Sequence, residues 1–557
     1  MHHTVLTSLT AALLLAATGA LQAQTPAEKT LTVRQRYLNI PVSHAMGRAP
    51  LSMQPEGGSV LNVEVRIAEG KPDYWVFKDL SAWQGRRLTL RYNGTQEALD
   101  QVFQADTIVG QAALYRERLR PQFHFTTRRG WTNDPNGLVW HNGVYHLYYQ
   151  HNPYDRDWGN MHWGHAVSRD LVHWEEQDDA LFPDALGTMF SGSAVVDKDN
   201  TSGWGTAQNP PIVYAYTAHG ARQTQCMAYS LDGGRTLVKY AGNPVIDSGI
   251  RWNSGDTRDP RLLWYAPGKH WVMVLFERGG HSIYTSQDLR NWAWQSHLPG
   301  FWECPDLFEL PVDGDPSRTK WVMYGASGSY LTGDFDGKTF TPDGPKRHYT
   351  AGKIYASQTF SDTPDGRRIQ IGWGQIEQPG MPFNCQMQLP TELTLRTTKD
   401  GIRLCSRPVT EVEGLLHRQF TAEGPLDEAE ASAALNAYAA ADGLHIHARL
   451  HLRYATSAGL ILNNEHLVLY DANHDTVNGW FYGLQDPASM ALEMDVYIDR
   501  TGVEVFLDGG LFSWSAQRRT DGDRSGFRFW GTEISISDLR IDTVDSIWND
   551  RPLTESR

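Results

Sequence analysis

A short phrase that recurs along the chain limits its architecture more than any other feature. Ser168-Arg-Asp170-Leu-Val-His-Trp174 returns as Ser286-Gln-Asp288-Leu-Arg-Asn-Trp292. Looser copies are Ser230-Leu-Asp232-Gly-Gly-Arg-Thr236 and Asp334-Phe-Asp336-Gly-Lys-Thr-Phe340. A period of roughly 50 residues, with a turn followed by an aromatic strand, suits propeller blades of four antiparallel strands. Residues 121–392 have room for about five such blades. Ser-x-Asp phrases are also ordinary hairpin tips, so the echo alone leaves another β fold open.

The flanks are β-rich too, and 557 residues exceed what one core organises. Within 28–118, Leu61, Val63, Val65 and Ile67 alternate with Asn62, Glu64 and Arg66, and Leu88 to Tyr92 repeats the pattern. Helical character is confined to Gln96–Val102. This reads as a small, mostly β accessory domain that ends at an Arg118–Pro121 linker. In 393–548, Leu444, Ile446, Ala448, Leu450 and Leu452 share one face, with His445, His447, Arg449, His451 and Arg453 opposite. Asp495 to Phe506 spells a hairpin around Gly502. A C-terminal β-sandwich is expected. The fold class is therefore all-β: a small β domain, a five-bladed β-propeller and a β-sandwich.

A net charge of −14 leaves no basic stripe for a polyanion, which argues against nucleic acid as a partner. The run from Leu9 to Leu21 reads as the apolar part of a signal peptide spanning 1–23, cleaved near Ala23, although His2 and His3 make a weak n-region. A secreted or periplasmic protein is expected. The run is short for a membrane span and nothing later reaches that length. No Cys follows it to carry a lipid anchor. Cys226, Cys304, Cys385 and Cys405 allow three pairings and fit no zinc spacing; buried free thiols are expected, with a Cys385–Cys405 bridge as the alternative.

Three acids sit in turn-prone contexts: Asp134 in Trp131-Thr-Asn-Asp-Pro-Asn-Gly137, Asp259 in Arg258-Asp-Pro260, and Glu303 in Trp302-Glu-Cys-Pro-Asp306. Singly, each is explained as a turn; Asp-Pro-Asn-Gly is a good β-turn by propensity. Together, on separate blades and each near a stiffening Pro, they suit one end of a propeller axis. Glycoside hydrolysis needs such a group: a carboxylate at the anomeric carbon and a protonated carboxyl for the leaving oxygen.

These segments, with Tyr149–Pro153, Trp158–His165, Phe190–Ser193, Tyr355–Phe360 and Gly372-Trp373, resemble glycoside hydrolase family 32, which includes invertases, inulinases and levanases. The resemblance spans about residues 121–545. It implies a five-bladed propeller followed by a β-sandwich, and a retaining double displacement on β-linked fructose in fructans (levan or inulin) or sucrose. It assigns Asp134 as nucleophile, Glu303 as acid/base and Asp259 as transition-state stabiliser, with Arg258 beside Glu303. Asn133, Gln150, Trp158, Phe190, Ser191 and Trp373 match positions lining the terminal fructose pocket. Retention calls for carboxyls roughly 5–5.5 Å apart. Thr132 departs from a usually apolar position, and Thr391 stands where Arg is common. The 28–118 segment lies outside the family's basic plan and resembles an accessory domain that precedes some bacterial levanase-like enzymes.

No cofactor fingerprint is present and no metal is expected. His162 and His165 alternate across a strand, and the His445/His447/His451 face reads as solvated or inter-domain. Three rivals stay open: endo rather than exo attack on fructans, a fructan-binding protein without turnover, and a sialidase suggested by the Asp-box-like Ser230–Thr236.

Overall fold

The computed structural model describes residues 26–548 apart from 454, 484–489 and 520–524. The expected signal peptide at 1–23 lies outside the described residues. Strands dominate; the described α-helices are Gln96–Asp100, Ser248–Trp252 and Glu428–Asn436.

Two small sheets open the structure. One orders Ala27–Thr32, Arg87–Tyr92, Ala49–Pro55 and Leu61–Val65; the other orders Tyr74–Asp79, Tyr37–Val42 and Phe103–Ala105. The alternation read from sequence is the burial pattern: Leu61, Val63, Val65 and Ile67 enter a common core with Leu88 and Leu90. Tyr154, more than 50 residues further on, fills the same core. The expected linker is pinned rather than free. Arg120 is buried, donates to Thr126 Oγ1 and Thr127 O at 2.7 Å each, and lies 3.4 Å over the Phe383 ring.

Four antiparallel meanders follow. The first runs through Gly130–His141, Val144–Asn152, His162–Ser168 and Trp174–Glu176, and the second through Thr188–Val196, Ile212–His219, Gln223–Ser230 and Val238–Lys239. The third comprises Thr257–Tyr265, His270–Glu277, Gly280–Ser286 and Ala293–Pro299, and the fourth Asp306–Val312, Asp315–Tyr324, Ser329–Phe335 and Phe340–Pro342. The recurring phrase now has a physical meaning: each copy is the turn between the third and fourth strands of its sheet. Asp170 Oδ1 accepts from His173 N at 2.8 Å, and Asp288 Oδ1 accepts from Asn291 N at the same distance. Ser230 Oγ donates to Asp232 Oδ1 at 2.7 Å, and Asp336 Oδ1 accepts from Thr339 N at 2.7 Å.

Ile354–Thr359, Arg368–Gly374, Thr391–Thr398 and Gly401–Pro408 continue from the fourth sheet through one parallel pairing, Val312 with Leu395. The chain then returns to its start, since Phe383 and Asn384 pair in parallel with Gly130 and Trp131.

A seven-stranded and a five-stranded sheet complete the molecule around a core that includes Leu444, Ile446, Ala448, Leu450 and Leu460. The hairpin forms as Ala491–Ile498 and Gly502–Leu507. His445 is buried, with Nδ1 at 2.9 Å from Asp542 Oδ2 and Nε2 at 3.0 Å from Asp495 Oδ1, so that part of the histidine face is not solvated. All four cysteines are free; Cys226, Cys385 and Cys405 are buried, whereas Cys304 is half-buried and not buried as expected.

Candidate active site

Asp134 lies on the strand Gly130–His141, not in a β-turn. Pairing to the neighbouring strand slips between Thr132 and Pro135 and again between Asn136 and Val139. Pro135 has no N–H to lend the ladder, so Asn133 and Asp134 bulge out of register. The turn propensity of Asp-Pro-Asn-Gly is thus realised as a distorted strand. Gly137, at φ +56°, fits where a Cβ would come 2.8 Å from Tyr148 Cδ2. Arg258-Asp-Pro260 behaves alike, with a register shift between Arg258 and Arg261 and Asp259 at φ +65°. Glu303 and Cys304 also sit at positive φ, +43° and +39°. Non-glycine residues in this region cost about 1–3 kcal/mol each, and surrounding packing must hold them there.

These distortions aim the acids together. Ser191 Oγ donates to Asp134 Oδ2 at 2.6 Å, and Asn133 Nδ2 to Oδ1 at 3.1 Å. Cys304 joins two of the carboxyls: its Sγ lies 3.6 Å from Asp134 Oδ2 and 3.5 Å from Asp259 Oδ2, and its N–H donates to Asp259 Oδ2 at 3.1 Å. The adjacent Glu303 is gripped at both oxygens. Arg258 Nε donates to Oε1 at 3.1 Å and Tyr355 OH to Oε2 at 2.6 Å. Pro135, Ser191, Asp259, Cys304 and Gln358 line a small cavity at this point.

Burial dominates the electrostatics. It raises the Asp134 carboxyl, helped by the charge of Glu303 and opposed by the Ser191 and Asn133 hydrogen bonds. It pushes Asp259 up to about 7; Arg258 opposes, while Asp134 and Glu303 reinforce. The Cys304 thiol is raised by burial and then by the same three acids, so it stays a protonated donor.

The aromatic residues named from sequence gather around this cluster. Trp158 is 51% exposed and meets Phe190 edge-on at 6.0 Å between ring centroids, and Phe190 precedes Ser191. Trp373 faces Trp131 at 5.8 Å and Tyr355 at 6.3 Å; Trp131 Nε1 donates to Asn133 Oδ1 at 2.8 Å. Gln150 stands one step back, its amide donating to Met189 O at 2.9 Å. Cys304 and Tyr355 were not singled out from sequence. Both lie inside motifs that were, and the signal for Cys304 was its adjacency to Glu303. A larger cavity of about 460 Å³ lies away from the acids, lined by Arg261, Trp264, Trp271 and Arg368 among others.

His162 and His165 are separately engaged, with Asn160 O and with His146 Nδ1. Among the described residues, His447, Glu493 and Asp495 come close enough to share an ion, as do His44, Asp155 and Asp157. In the second group arginines already occupy the carboxylates.

The family model for the N-terminal domain of glycosyl hydrolases family 32 matches residues 124–408, a span that holds all three acids. The levanase of Bacillus subtilis is 36% identical over 510 residues, covering 82% of this chain and 74% of the levanase. An extracellular exo-inulinase of Aspergillus niger is 32% identical over 523 residues, covering 79% of this chain and 97% of the inulinase. The crystal structure of exo-inulinase from Aspergillus awamori superposes with a TM-score of 0.67 at 28% identity, covering 78% of this chain and 100% of the inulinase. With the family model matched over residues 124–408 and the levanase 36% identical over 74% of its length, this chain belongs to glycoside hydrolase family 32.

Proposed function

We propose that the chain is a retaining β-fructosidase that releases fructose from fructans or sucrose. The observation that carries this reading is the meeting of Asp134 and Asp259, from separate sheets, at the thiol of Cys304, whose chain neighbour is Glu303. Levanase and exo-inulinase relatives supply the substrate class.

In the reaction, Asp134 attacks C2 of the fructosyl unit while Glu303 hands its proton to the departing oxygen, which keeps the electrons of the broken C2–O bond. Glu303 then takes a proton from water, and the resulting hydroxide displaces Asp134 from C2. The donors Ser191 and Asn133 fix the attacking carboxylate, while Arg258 and Tyr355 hold the rotamer of Glu303. Asp259 binds sugar hydroxyls and stabilises the positive charge that develops at the ring, which is absent from the ground state. Trp158, Phe190 and Trp373, with Gln150 behind, wall the pocket. Exo attack on a chain end is the mode that the exo-inulinase relative supports.

The surrounding architecture is a five-bladed propeller over 121–392 and a β-sandwich over 393–548, preceded by the accessory β domain of 28–118. Four successive meanders and the Phe383–Gly130 return support the propeller. The 1–23 segment directs export.

Chromatography of early products from levan, inulin and sucrose tests the reading: fructose alone is expected, and a ladder of oligomers would mean endo attack. Asp134→Asn should lower kcat at least about a thousandfold with folding intact. Residual activity above about a tenth of wild type would remove Asp134 from the nucleophile's role.

A further inference from the structure

The segment between the strands Val144–Asn152 and His162–Ser168 carries Trp158, and besides its bonds to Asn152 it packs on the N-terminal sheets. Tyr154 is buried in the N-terminal core. Asp155 is 0% exposed, and its carboxylate is surrounded by N-terminal side chains: Arg48 Nε at 2.8 Å, Arg66 Nε at 3.3 Å and Tyr74 OH at 3.2 Å. Asn160 copies a strand partner, accepting from Glu64 N and donating to Glu64 O, both at 2.8 Å.

Within this seam Arg48 has a particular reach. While its Nε holds Asp155, its Nη1 donates to the backbone carbonyl of Trp158 at 2.8 Å. The path is open because residue 159 is glycine; a Cβ there would lie 2.8 Å from Arg48 Nη1. Trp158 in turn touches Phe190, and the next residue, Ser191, holds Asp134. Arg66 binds the same Asp155 carboxylate and also Asp157 Oδ2 at 3.1 Å, but it makes no hydrogen bond to Trp158 among the described contacts.

We infer that Arg48 is a positioning residue for substrate binding: the N-terminal sheets use it to set the backbone of Trp158 at the pocket rim. This rests on the fructosidase reading given above. Two hydrogen bonds from one planar guanidinium fix both the distance and the rotation of the loop, which the single point charge of lysine does not do. Binding to the rim is made equally in ground and transition states, so its loss appears in KM rather than kcat.

The test uses the full-length chain and whichever of levan, inulin or sucrose the wild type cleaves. Arg48→Met and the charge-keeping Arg48→Lys should each raise KM about fivefold or more with kcat within about twofold. Arg66→Met weakens the same seam without touching Trp158 and should leave KM within about twofold. An active wild type whose KM is unmoved by either Arg48 variant, or moved equally by Arg66→Met, overturns the inference alone. A kcat loss at constant KM overturns it as well. A wild type inert on all three sugars overturns the fructosidase reading and this inference with it.

Discussion

Asp259 is held at a cost, and the cost is measurable. Its backbone is left-handed, its carboxyl is buried beside Asp134 and Glu303, and its pKa is pushed up to about 7. A carboxyl whose folded pKa exceeds its unfolded value contributes most stability below the unfolded pKa, about 4, and loses it as pH climbs towards 7. Asparagine keeps the shape and never ionises. Asp259→Asn should therefore melt above wild type at pH 8, with the gap closing towards pH 4, while turnover falls. A gap that is constant with pH, or that widens on acidification, would show that Asp259 is not strained by its charge. At this scale the sequence was legible where chemistry is written in residue type. Residue type alone picks out Asp134, Asp259 and Glu303, and the structure brings these three acids to Cys304 and its neighbours. The roles of Cys304 and Tyr355 were not legible, because a thiol or phenol gains meaning only from what lies within 3 or 4 Å of it.

Among the elements, the clasp around His124 shows how the irregular segment before the strand Gly130–His141 is fastened to the C-terminal hairpin. Asp499, on the turn of the C-terminal hairpin, accepts from Gln122 N at 2.6 Å and Phe123 N at 3.1 Å. His124 Nδ1 lies 2.8 Å from the same carboxylate and Nε2 3.1 Å from Glu504. Burial pulls the imidazole pKa down, but the hydrogen bonds and charges of Asp499 and Glu504 outweigh it and raise the value to about 9. The stabilisation is complete below the unfolded value near 6.5 and is lost as pH rises through 9. His124→Asn should depress the melting temperature most at pH 6 and least at pH 9.5. Equal depression at both would mean that the neutral ring does the same work. The hairpin itself was legible from its alternation around Gly502. The bulges at Asp134 and Asp259 were not, since Asp-Pro reads equally as a turn or an interrupted strand, and only the partner strand decides.

For the molecule as a whole, three sequence regions share their interiors. Tyr154 belongs to the N-terminal core, and one cluster combines Leu138 and Ile371 from the central sheets with Tyr497, Phe506 and Val544 from the C-terminal one. Scanning calorimetry should accordingly give one main cooperative transition; separated transitions that match the regions would contradict so shared a core. The repeating turn announced the order of the sheets from sequence alone, because each copy needs only local hydrogen bonds. The seams were hidden, because residues such as Tyr154 and Arg48 are more than 100 positions apart and carry no common pattern.

Tyr154 also bears on how hybrids between relatives must be cut. A crossover at 118–121 looks natural by sequence, yet it would strand that ring outside the cavity it plugs and leave a hole in the donor's first two sheets. Recombination placed beyond residue 161 transfers plug and socket as one heritable piece.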